Sequence, residues 1–423
     1  MSPMGRRTFL GGLAAGAAGA LARGSFAADP NGRIVVGVMG LGRGASLART
    51  FSDQPNTVVK YVCDVDRERA APIVKSLEAA TGTAPEIVTD FRQMLDAKDL
   101  DALICAAPNH WHAPASILAC AAGKHVYVEK PCCHNPREGE WMVQAARAAN
   151  RAVQMGAQRR SSPGTKAAIG RLKEGAVGRI YLVKAWYNSA RDAVGKGEPA
   201  PVPPSLDYEL WQGPAPRRPY LTNRIHYNWH WFWHWGNGEL GNNGVHTLDL
   251  CRWGAGVDYP IRVVSSGGRY AFEDEQETPD THSVAFEFPG KVQITWDGLS
   301  CHRRSSGFVT FYGDGGALAL ESNGAYAIFD SQEKEIERRP GDTVGDKEHA
   351  ANFLDAIRTD RPLSLNTEIL EGYKSTLLCH LGNIAHRTGR TLECDPANGM
   401  IKHDAEAMAY WGRPYERGWE PKV

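Results

Sequence analysis

The chain has 423 residues, of which 42% are hydrophobic and 23% charged, with 48 basic and 48 acidic side chains. This composition is ordinary for a globular protein and excludes a large disordered region, while the length predicts about two domains. A formal net charge of zero argues against nucleic-acid binding and membrane-surface adsorption, because both rely on a net basic field.

The first residues have the pattern of an export signal. Arg6-Arg7 precede an apolar run from Phe9 to Ala22, and Ser25-Phe26-Ala27 offers a cleavage site. The run is shorter than the roughly 20 residues that span a bilayer, so we expect no stable membrane insertion. The arginine pair favours twin-arginine export of a folded protein, with an ordinary Sec leader as the alternative. We therefore predict a signal over residues 1–27 and a periplasmic or otherwise exported protein.

From residue 33 onward, short apolar runs alternate with helical stretches, which is typical of a parallel sheet covered on both faces. Turn residues bound each run. The pattern predicts strands over 34–39, 58–63, 102–107 and 125–128, and helices over 67–80, 114–122 and about 136–149. We therefore predict a doubly wound Rossmann domain over residues 28–155.

Beyond Arg160 the pattern changes to β-rich segments separated by turns that contain Gly and Asp. Strands are predicted over 180–187, 282–288, 292–296 and 308–312, and two closing helices over 347–359 and 369–387. The expected fold class is α/β, in which the Rossmann domain is followed by an α+β domain with a large, mainly antiparallel open sheet. This second domain is expected over 156–390, with a tail at 391–423 packed on it. We expect it to bind substrate and to form a homo-oligomer through its sheet.

The first predicted strand ends in a glycine loop with the G-x-G-x-x-G/A pattern, running from Gly40 to Ala45. Gly40 can form the tight turn, and Gly42 lets the backbone approach a pyrophosphate at the helix N-terminus. Asp64 ends the second strand, where a carboxylate accepts hydrogen bonds from ribose hydroxyls, which favours NAD. NADP stays possible, because Arg43 or Arg67 could offset the repulsion of a 2′-phosphate. The cofactor candidates in this region are Gly40, Gly42, Arg43, Ala45 and Asp64.

Two further strands end in polar motifs at the same predicted edge of the sheet. Pro108-Asn109-His110-Trp111-His112 follows one strand, and Glu129-Lys130-Pro131 ends the next. Ligands of α/β sheets bind at such carboxyl edges, so the Lys130 ammonium should point into the same crevice. Pro108, Asn109, His112, Glu129 and Lys130 are therefore further cofactor candidates.

These motifs, together with Asp64-Val65-Asp66 and Gly123-Lys124-His125-Val126, resemble in order and spacing those of the glucose–fructose oxidoreductase/inositol dehydrogenase (Gfo/Idh/MocA) family. The resemblance covers essentially the whole mature chain. It implies that Lys130 contacts both the nicotinamide ribose and the substrate.

The family's second-domain motif corresponds here to the stretch from Gly236 to Asp249. The resemblance implies that His246 is the catalytic histidine, and it makes Asp249 a substrate-binding candidate. Asn242 stands where the family usually has an aspartate that orients the histidine or the substrate. We count Asn242 with Lys130 and His246 among the catalytic candidates.

Oxidation of a secondary alcohol needs a hydride acceptor and a base for the hydroxyl proton. His246 suits the base, since the ordinary pKa of histidine is about 6.5, and Lys130 could stabilise the developing alkoxide. With Asn242 in place of a carboxylate, we expect a weaker base or a rate that depends more on Lys130. The alternative for His246 is a core histidine at a glycine-rich helix start.

An aromatic stretch from His226 to Trp235 contains His230 and His234, whose spacing of four suggests a metal site on a helix. No carboxylate or third ligand lies at a suitable spacing, so we predict no metal. We expect Trp231, Trp233 and His234 to stack on a sugar and bind its hydroxyls, with an aromatic core as the alternative. Arg160 could bind substrate hydroxyls or a carboxylate, and a solvated surface arginine is its alternative.

The sequence thus predicts an NAD(P)-dependent oxidoreductase that acts on a secondary alcohol of a sugar, cyclitol or glycoside and holds its nicotinamide cofactor tightly. Outside the cytoplasm there is little free NAD, which favours a closed redox cycle. One alternative is therefore a redox-neutral glycosidase, epimerase or lyase that acts through a transient 3-keto sugar. Another is a non-catalytic, dinucleotide-holding sugar-binding protein, which the Asn242 departure would support.

Overall fold

The computed structural model describes residues 32–304 and 307–423. The export signal predicted at 1–27 lies outside these residues. The described chain forms one sheet of six strands and a second sheet of nine. None of the helices in this part of the chain combines the length and apolar character that a membrane span requires.

The first sheet has the strand order β3-β2-β1-β4-β5-β6, and all of its neighbouring strands are parallel. Its strands are β1 (Ile34–Met39), β2 (Thr57–Cys63), β3 (Glu86–Val88), β4 (Ala102–Cys105), β5 (His125–Val128) and β6 (Val153–Met155). Its helices are α1 (Arg43–Ser52), α2 (Arg67–Thr81), α3 (Arg92–Leu95), α4 (Asn109–Ala121) and α5 (Pro136–Ala149). The predicted Rossmann sheet is therefore confirmed.

Local signals explain these elements. Every residue of β1 is buried, as expected for a central parallel strand covered on both faces. Asp66 caps α2 by accepting a hydrogen bond from the Glu68 amide, and Gly82 ends that helix with φ +75°. Asn135 caps α5, and Pro136 occupies its first turn.

The second sheet is mixed and mainly antiparallel, with the order β14-β13-β12-β11-β7-β10-β9-β8-β15, in which only the β7–β10 pair is parallel. Its strands are β7 (Ile180–Asn188), β8 (Arg262–Gly268), β9 (Thr281–Phe288), β10 (Val292–Leu299), β11 (Val309–Gly313), β12 (Gly316–Leu320), β13 (Tyr326–Asp330), β14 (Glu335–Arg339) and β15 (Leu392–Glu393). The remaining helices are α6 (Pro163–Lys173), α7 (Tyr208–Gln212), α8 (Val245–Ala255), α9 (Asp346–Arg358), α10 (Ile369–Thr388) and α11 (Ala405–Met408). This confirms the predicted fold class, in which the Rossmann domain is followed by a domain with a large, mainly antiparallel sheet.

Later parts of the chain return to the Rossmann domain. Phe353 of α9 packs edge-on against Phe51 of α1 and Tyr127 of β5. In the C-terminal tail, the Trp411 indole donates a hydrogen bond to Glu140 of α5 at 3.0 Å. Both contacts hold the second domain against the Rossmann domain, and a cleft runs between them.

Candidate active site

A cavity of about 760 Å³ lies in this cleft, at the carboxyl ends of β1, β2, β4 and β5. Its volume falls within the range of about 300–1,000 Å³ that is usual for ligand pockets. The structure brings most of the predicted catalytic and cofactor residues to its walls, namely Gly40, Gly42, Arg43, Asp64, Pro108, Asn109, His112, Glu129, Lys130, Asn242 and His246. Ala45 lies in the first turn of α1, two residues after Arg43, and does not line the cavity.

The glycine loop has the geometry that a pyrophosphate requires. Gly40 has φ +83°, and a Cβ at this position would lie 2.6 Å from the Ala106 carbonyl oxygen. α1 begins at Arg43, and no side chain caps its N-terminal amides. Gly42 and Arg43 line the cavity, and the amides of a helix N-terminus carry a partial positive charge. The loop therefore fits the diphosphate of a dinucleotide.

Asp64 holds this loop in place from the end of β2. Its Oδ2 accepts a hydrogen bond from the Leu41 amide at 2.7 Å, and its Oδ1 accepts one from the Asp66 amide at 3.0 Å. The guanidinium of Arg69 lies 3.5 Å from the same carboxylate, and a Cβ at Gly42 would lie 3.2 Å from Arg69 Nη2. Sequence reasoning named Arg43 and Arg67 as the nearby cations and missed Arg69, although all three belong to the same two helix starts.

Arg43 is committed to other partners. Its Nε lies 3.1 Å from Glu129, and its Nη2 pairs with Asp346. Burial alone would lower the pKa of Arg43, but these two carboxylates outweigh it and raise the pKa. The charge of Arg43 is therefore largely balanced within the protein and is less available to a 2′-phosphate.

Lys130 links the two domains at the cavity floor. Its ammonium donates hydrogen bonds to the backbone carbonyl of Asn242 at 2.8 Å and to the side-chain Oδ1 of Asn242 at 3.2 Å. Burial lowers the pKa of Lys130, while the attraction of Glu129 and Glu239 opposes that shift. Asn242 thus contacts the lysine, and it lies in the π-helical turn Leu240–Gly244 that leads into α8. Such turns are frequent at functional sites.

His246 occupies the first turn of α8 and is 8% exposed. Nothing in residues 32–304 and 307–423 hydrogen-bonds its imidazole. Burial, followed by the positive charges of Arg159, Lys130 and Arg43, lowers the pKa of His246 well below its usual value. The ring is therefore neutral at pH 7, which is the form that accepts a proton, although as a base it is weaker than a free histidine.

Glu239 is a buried acid close enough to act on Lys130, and sequence reasoning missed it. Glu239 accepts a hydrogen bond from Arg191 Nε at 2.8 Å, and Arg191 Nη1 donates one to the Tyr227 hydroxyl at 2.6 Å. The Arg191 guanidinium also lies 4.8 Å from the ring centroid of Trp231. This network ties the aromatic stretch to the π-helical turn that leads into α8. Glu239 lies within the glycine-rich motif and could have been noticed, whereas nothing in the sequence singles out Arg191.

The aromatic stretch lines the cavity through residues other than the predicted ones. His226, Tyr227, Trp229 and His230 are wall residues, whereas Trp231 is 2% exposed and points into a small aromatic core. Trp233 and His234 line a different cavity. The assignment of Trp231, Trp233 and His234 to the substrate therefore needs correction. The reason is that this stretch forms one 3-10 turn, Asn228–Trp231, rather than a helix with a single exposed face.

Arg160 and Asp249 also lie away from the cavity. Two hydrogen bonds of 2.8 Å join the Arg160 guanidinium to the Asp249 carboxylate, and the Ser375 hydroxyl donates a third bond to that carboxylate at 2.6 Å. Both side chains are at most 5% exposed. Their charges satisfy each other and fasten α8 to the turn that precedes α6, so the structure does not offer them to a substrate.

In the described part of the chain, no three His, Cys, Asp or Glu side chains are grouped so that they could hold a metal ion. His230 stacks on Trp229 with ring centroids 3.6 Å apart, and His234 Nε2 donates a hydrogen bond to the Pro216 carbonyl at 2.8 Å. A carbonyl only accepts, so this Nε2 carries the proton. The two histidines therefore do not share a site.

Residues 194–235, which we call the covering segment, line one side of the cavity and pack against the end of β2 and the start of α2. The Asp207 amide donates to the Val65 carbonyl at 2.9 Å, and the Arg67 amide donates to the Ser205 carbonyl at 3.0 Å. His226 Nε2 lies 2.9 Å from the Asp66 carboxylate. The segment has its own aromatic core, centred on Trp211 and Trp235. It therefore forms an ordered cover directly beside Asp64 and Arg69.

Two models of one oxidoreductase family match this chain. The model described as "NAD-binding Rossmann fold" matches residues 34–157, and the model described as "C-terminal alpha/beta domain" matches residues 185–421. The Rossmann domain is therefore an NAD-binding domain, as the glycine loop and Asp64 predicted.

Curated relatives match over shorter stretches. Levoglucosan dehydrogenase of Pseudarthrobacter phenanthrenivorans is 30% identical over 130 residues, which cover 31% of this chain and 32% of that protein. A glycosyl hydrolase family 109 protein of Saccharopolyspora erythraea is 34% identical over 157 residues, which cover 31% of this chain and 34% of that protein. The chain thus spans about a third of the length of these relatives.

Among solved structures, levoglucosan dehydrogenase in complex with NADH and levoglucosan superposes with a TM-score of 0.67 at 18% identity, over 85% of this chain and 99% of that chain. At this identity the likeness shows a shared fold of both domains.

Proposed function

This chain belongs to the Gfo/Idh/MocA oxidoreductase family, and from that membership we propose that it oxidises a secondary alcohol of a sugar, cyclitol or glycoside. When bound in the Rossmann domain, a nicotinamide dinucleotide would accept the hydride. The observation that carries the proposal is that Lys130 and His246 approach one cavity from two different domains, beside the glycine loop. The relative named levoglucosan dehydrogenase supports a sugar-type substrate.

The two residues divide the acid–base work between them. His246 is neutral at pH 7 because burial and nearby cations lower its pKa, so it can accept the proton of the reacting hydroxyl. Lys130 has three donor hydrogens, and Asn242 accepts two of them. The third can be directed at the substrate oxygen, where it stabilises the negative charge that develops as the proton leaves.

Alanine substitutions test this proposal. His246→Ala and Lys130→Ala should each lower turnover by about 10²-fold or more, the usual scale for a positioned proton-transfer group. The affinity for NAD should change little. The exposed His302→Ala and Lys98→Ala variants serve as matched controls and should keep wild-type turnover. Full activity of the His246→Ala variant on a sugar that the wild-type enzyme oxidises would refute the proposed mechanism.

Redox-neutral chemistry is a second candidate, and the covering segment favours it. The covering segment packs beside Asp64 and would slow the exchange of a cofactor bound there. An enzyme that keeps its cofactor must return the hydride within each cycle. Transient oxidation to a 3-keto sugar acidifies the neighbouring C–H bond and permits loss of a glycosidic group before re-reduction. The relative named glycosyl hydrolase family 109 protein supports this route.

Product analysis in deuterium oxide separates the two candidates. A redox-neutral enzyme should turn over aryl glycosides without added NAD and place deuterium on the carbon next to the transient ketone. A dehydrogenase with net oxidation should form one equivalent of reduced cofactor for each sugar oxidised, with no label at that carbon. Aryl-glycoside turnover without label would exclude the 3-keto route.

Export by the twin-arginine route and assembly through the second sheet are part of the same proposal. Replacement of both Arg6 and Arg7 by Lys should leave the precursor in the cytoplasm, because the twin-arginine pathway reads the guanidinium pair whereas Sec requires only positive charge. Cell fractionation measures this, and normal export of the Lys-Lys form would assign the leader to Sec. Sedimentation of the mature protein tests whether it is an oligomer.

A further inference from the structure

A second cavity, of about 690 Å³, lies between the covering segment, α10, the residues before α5 and the C-terminal tail. Asn237 stands in the wall that separates it from the active-site cavity. The Asn237 Oδ1 accepts a hydrogen bond from Asn109 at 2.9 Å, and its amide donates one to the His134 carbonyl at 2.9 Å. The second cavity is therefore built by other residues than those that surround Lys130 and His246.

The side chains that line this cavity carry more positive than negative charge. Four arginines line it. Within the described part of the chain, Glu277 is the one residue of the lining that carries a carboxylate. Arg217 is paired with Glu209, and Arg218 lies 4.0 Å from Glu277. Outside the lining, Glu138 faces Arg413 from behind the wall, where it accepts a hydrogen bond from Tyr415.

Arg387 and Arg413 have no carboxylate within ion-pair distance in residues 32–304 and 307–423. Partial desolvation lowers the pKa of Arg387 and of Arg413, and the acids and tyrosines near them do not fully compensate. Arg387 is exposed and Arg413 is half-buried, so a solute in the cavity can reach both guanidinium groups. An anion in the cavity would supply the missing partner.

The guanidinium of Arg387 is held ready for such an anion. It lies 4.1 Å from the ring centroid of Tyr410 and 5.0 Å from that of Trp233. A planar guanidinium fixed by aromatic rings loses little conformational freedom when it binds a carboxylate or phosphate through two hydrogen bonds. The rings also offer a surface on which an organic ring could stack.

The positive charge of the cavity comes from its arginines, because His134 and His234 are neutral. His134 Nε2 donates to the Trp233 carbonyl at 3.0 Å, and its Nδ1 accepts from Arg413 at 3.1 Å, so the ring is neutral. Burial lowers the pKa of His234 to about 4. Because the positive charge resides on guanidinium groups, which stay protonated between pH 6 and 8, the binding of a carboxylate should not depend on pH in that range. Inorganic phosphate changes its own charge there, so its binding should follow the titration of the phosphate.

We propose that this cavity is an accessory binding site for a small organic anion that carries a carboxylate or a phosphate, such as an acidic sugar. The site is independent of the oxidoreductase function proposed above. Arg387 and Arg413 bind the anionic group, Arg218 adds charge at the entrance, and Trp233 and Tyr410 contact the remainder of the ligand.

Isothermal titration of the full chain tests the proposal, with glucuronate, inorganic phosphate and neutral glucose as probes at constant ionic strength. NAD is present at saturation, so that the glycine loop is not an alternative anion site. We expect glucuronate or phosphate to bind in a 1:1 ratio and glucose not to bind at this site. Binding of glucuronate alone identifies a carboxylate site with ring contacts, and binding of phosphate alone identifies a phosphate site.

Substitutions locate that binding. Arg387→Met should weaken it at least tenfold, and so should Arg218→Met, which changes a half-exposed side chain and keeps the test valid if the Arg387 variant does not fold. Arg179→Met, at an exposed arginine outside the cavity, is the matched control and should bind like the wild type. The proposal is overturned if neither anion binds, or if binding survives both cavity substitutions in folded protein.

Discussion

The substitution Asn242→Asp tests how the departure from the family motif acts on the site. Lys130 Nζ lies 3.2 Å from Asn242 Oδ1, so the variant places a carboxylate directly against the ammonium. Two unit charges this close attract by about 5 kcal/mol at an effective dielectric constant of about 20. Burial of the new carboxylate offsets part of this attraction. An opposite charge at such a distance typically shifts a pKa by about 1–3 units, so the pKa of Lys130 should rise by that amount.

The pH dependence of kcat/KM measures this shift, from initial rates of reduced-cofactor formation. If Lys130 must carry its proton to stabilise the substrate oxygen, the upper limb of the profile should move to higher pH by about 1–3 units. Asn242→Ala is the control. It removes the side-chain acceptor but keeps the backbone carbonyl that binds Lys130 at 2.8 Å, so its upper limb should stay close to that of the wild type.

The reasoning would be refuted if the lower limb moved while the upper limb stayed in place. That result would mean that the new carboxylate acts on His246 and raises its basicity, as the family's aspartate is expected to do. A complete loss of activity would instead mean that the Asn242 amide donates a hydrogen bond that a carboxylate cannot replace.

Three further predictions follow from individual contacts. Asp64→Ala should weaken NAD binding and reduce the preference of the protein for NAD over NADP, because the acceptor for the ribose hydroxyls is lost and Arg69 loses its carboxylate partner. The prediction is contradicted if the variant binds NADH and NADPH with the same affinities as the wild type. Arg160→Met should lower the free energy of unfolding by about 3–5 kcal/mol in urea, since it leaves Asp249 buried without its partner, whereas a loss below 1 kcal/mol would show that the pair is not structural. Burial lowers the pKa of His349 to about 4, so the unfolded chain binds its proton first and stability should fall as pH decreases from about 6.5 to about 4; His349→Gln should reduce this fall, and an unchanged pH dependence would exclude the residue as a cause.

The sequence alone determined most of the Rossmann domain. β1 and α5 were predicted with their observed bounds, because an apolar run, a cap and a glycine or proline are local signals. The positions of Gly40 and Asp64 at the strand ends followed in the same way. β3 and β6 were not predicted, since three residues are too short to show a pattern.

The candidate site was found only in part. The family motifs predicted that Lys130, Asn242 and His246 belong to one site, but they did not show that Asn242 contacts the lysine. They also did not show the covering segment, whose contacts with Val65 and Arg67 join residues about 140 positions apart through backbone groups that any sequence could supply.

Only the tertiary structure decided which charges pair and which aromatic rings face the cavity. Arg160 meets Asp249 across 89 positions and Arg191 meets Glu239 across 48, and no spacing rule connects residues that far apart. In the aromatic stretch no helical or strand period applies, so the sequence could not tell Trp231, turned into the core, from Trp229 and His230 in the cavity wall. Local periodicity specifies the direction of a side chain only inside a regular element, and outside such elements packing of the whole chain specifies it.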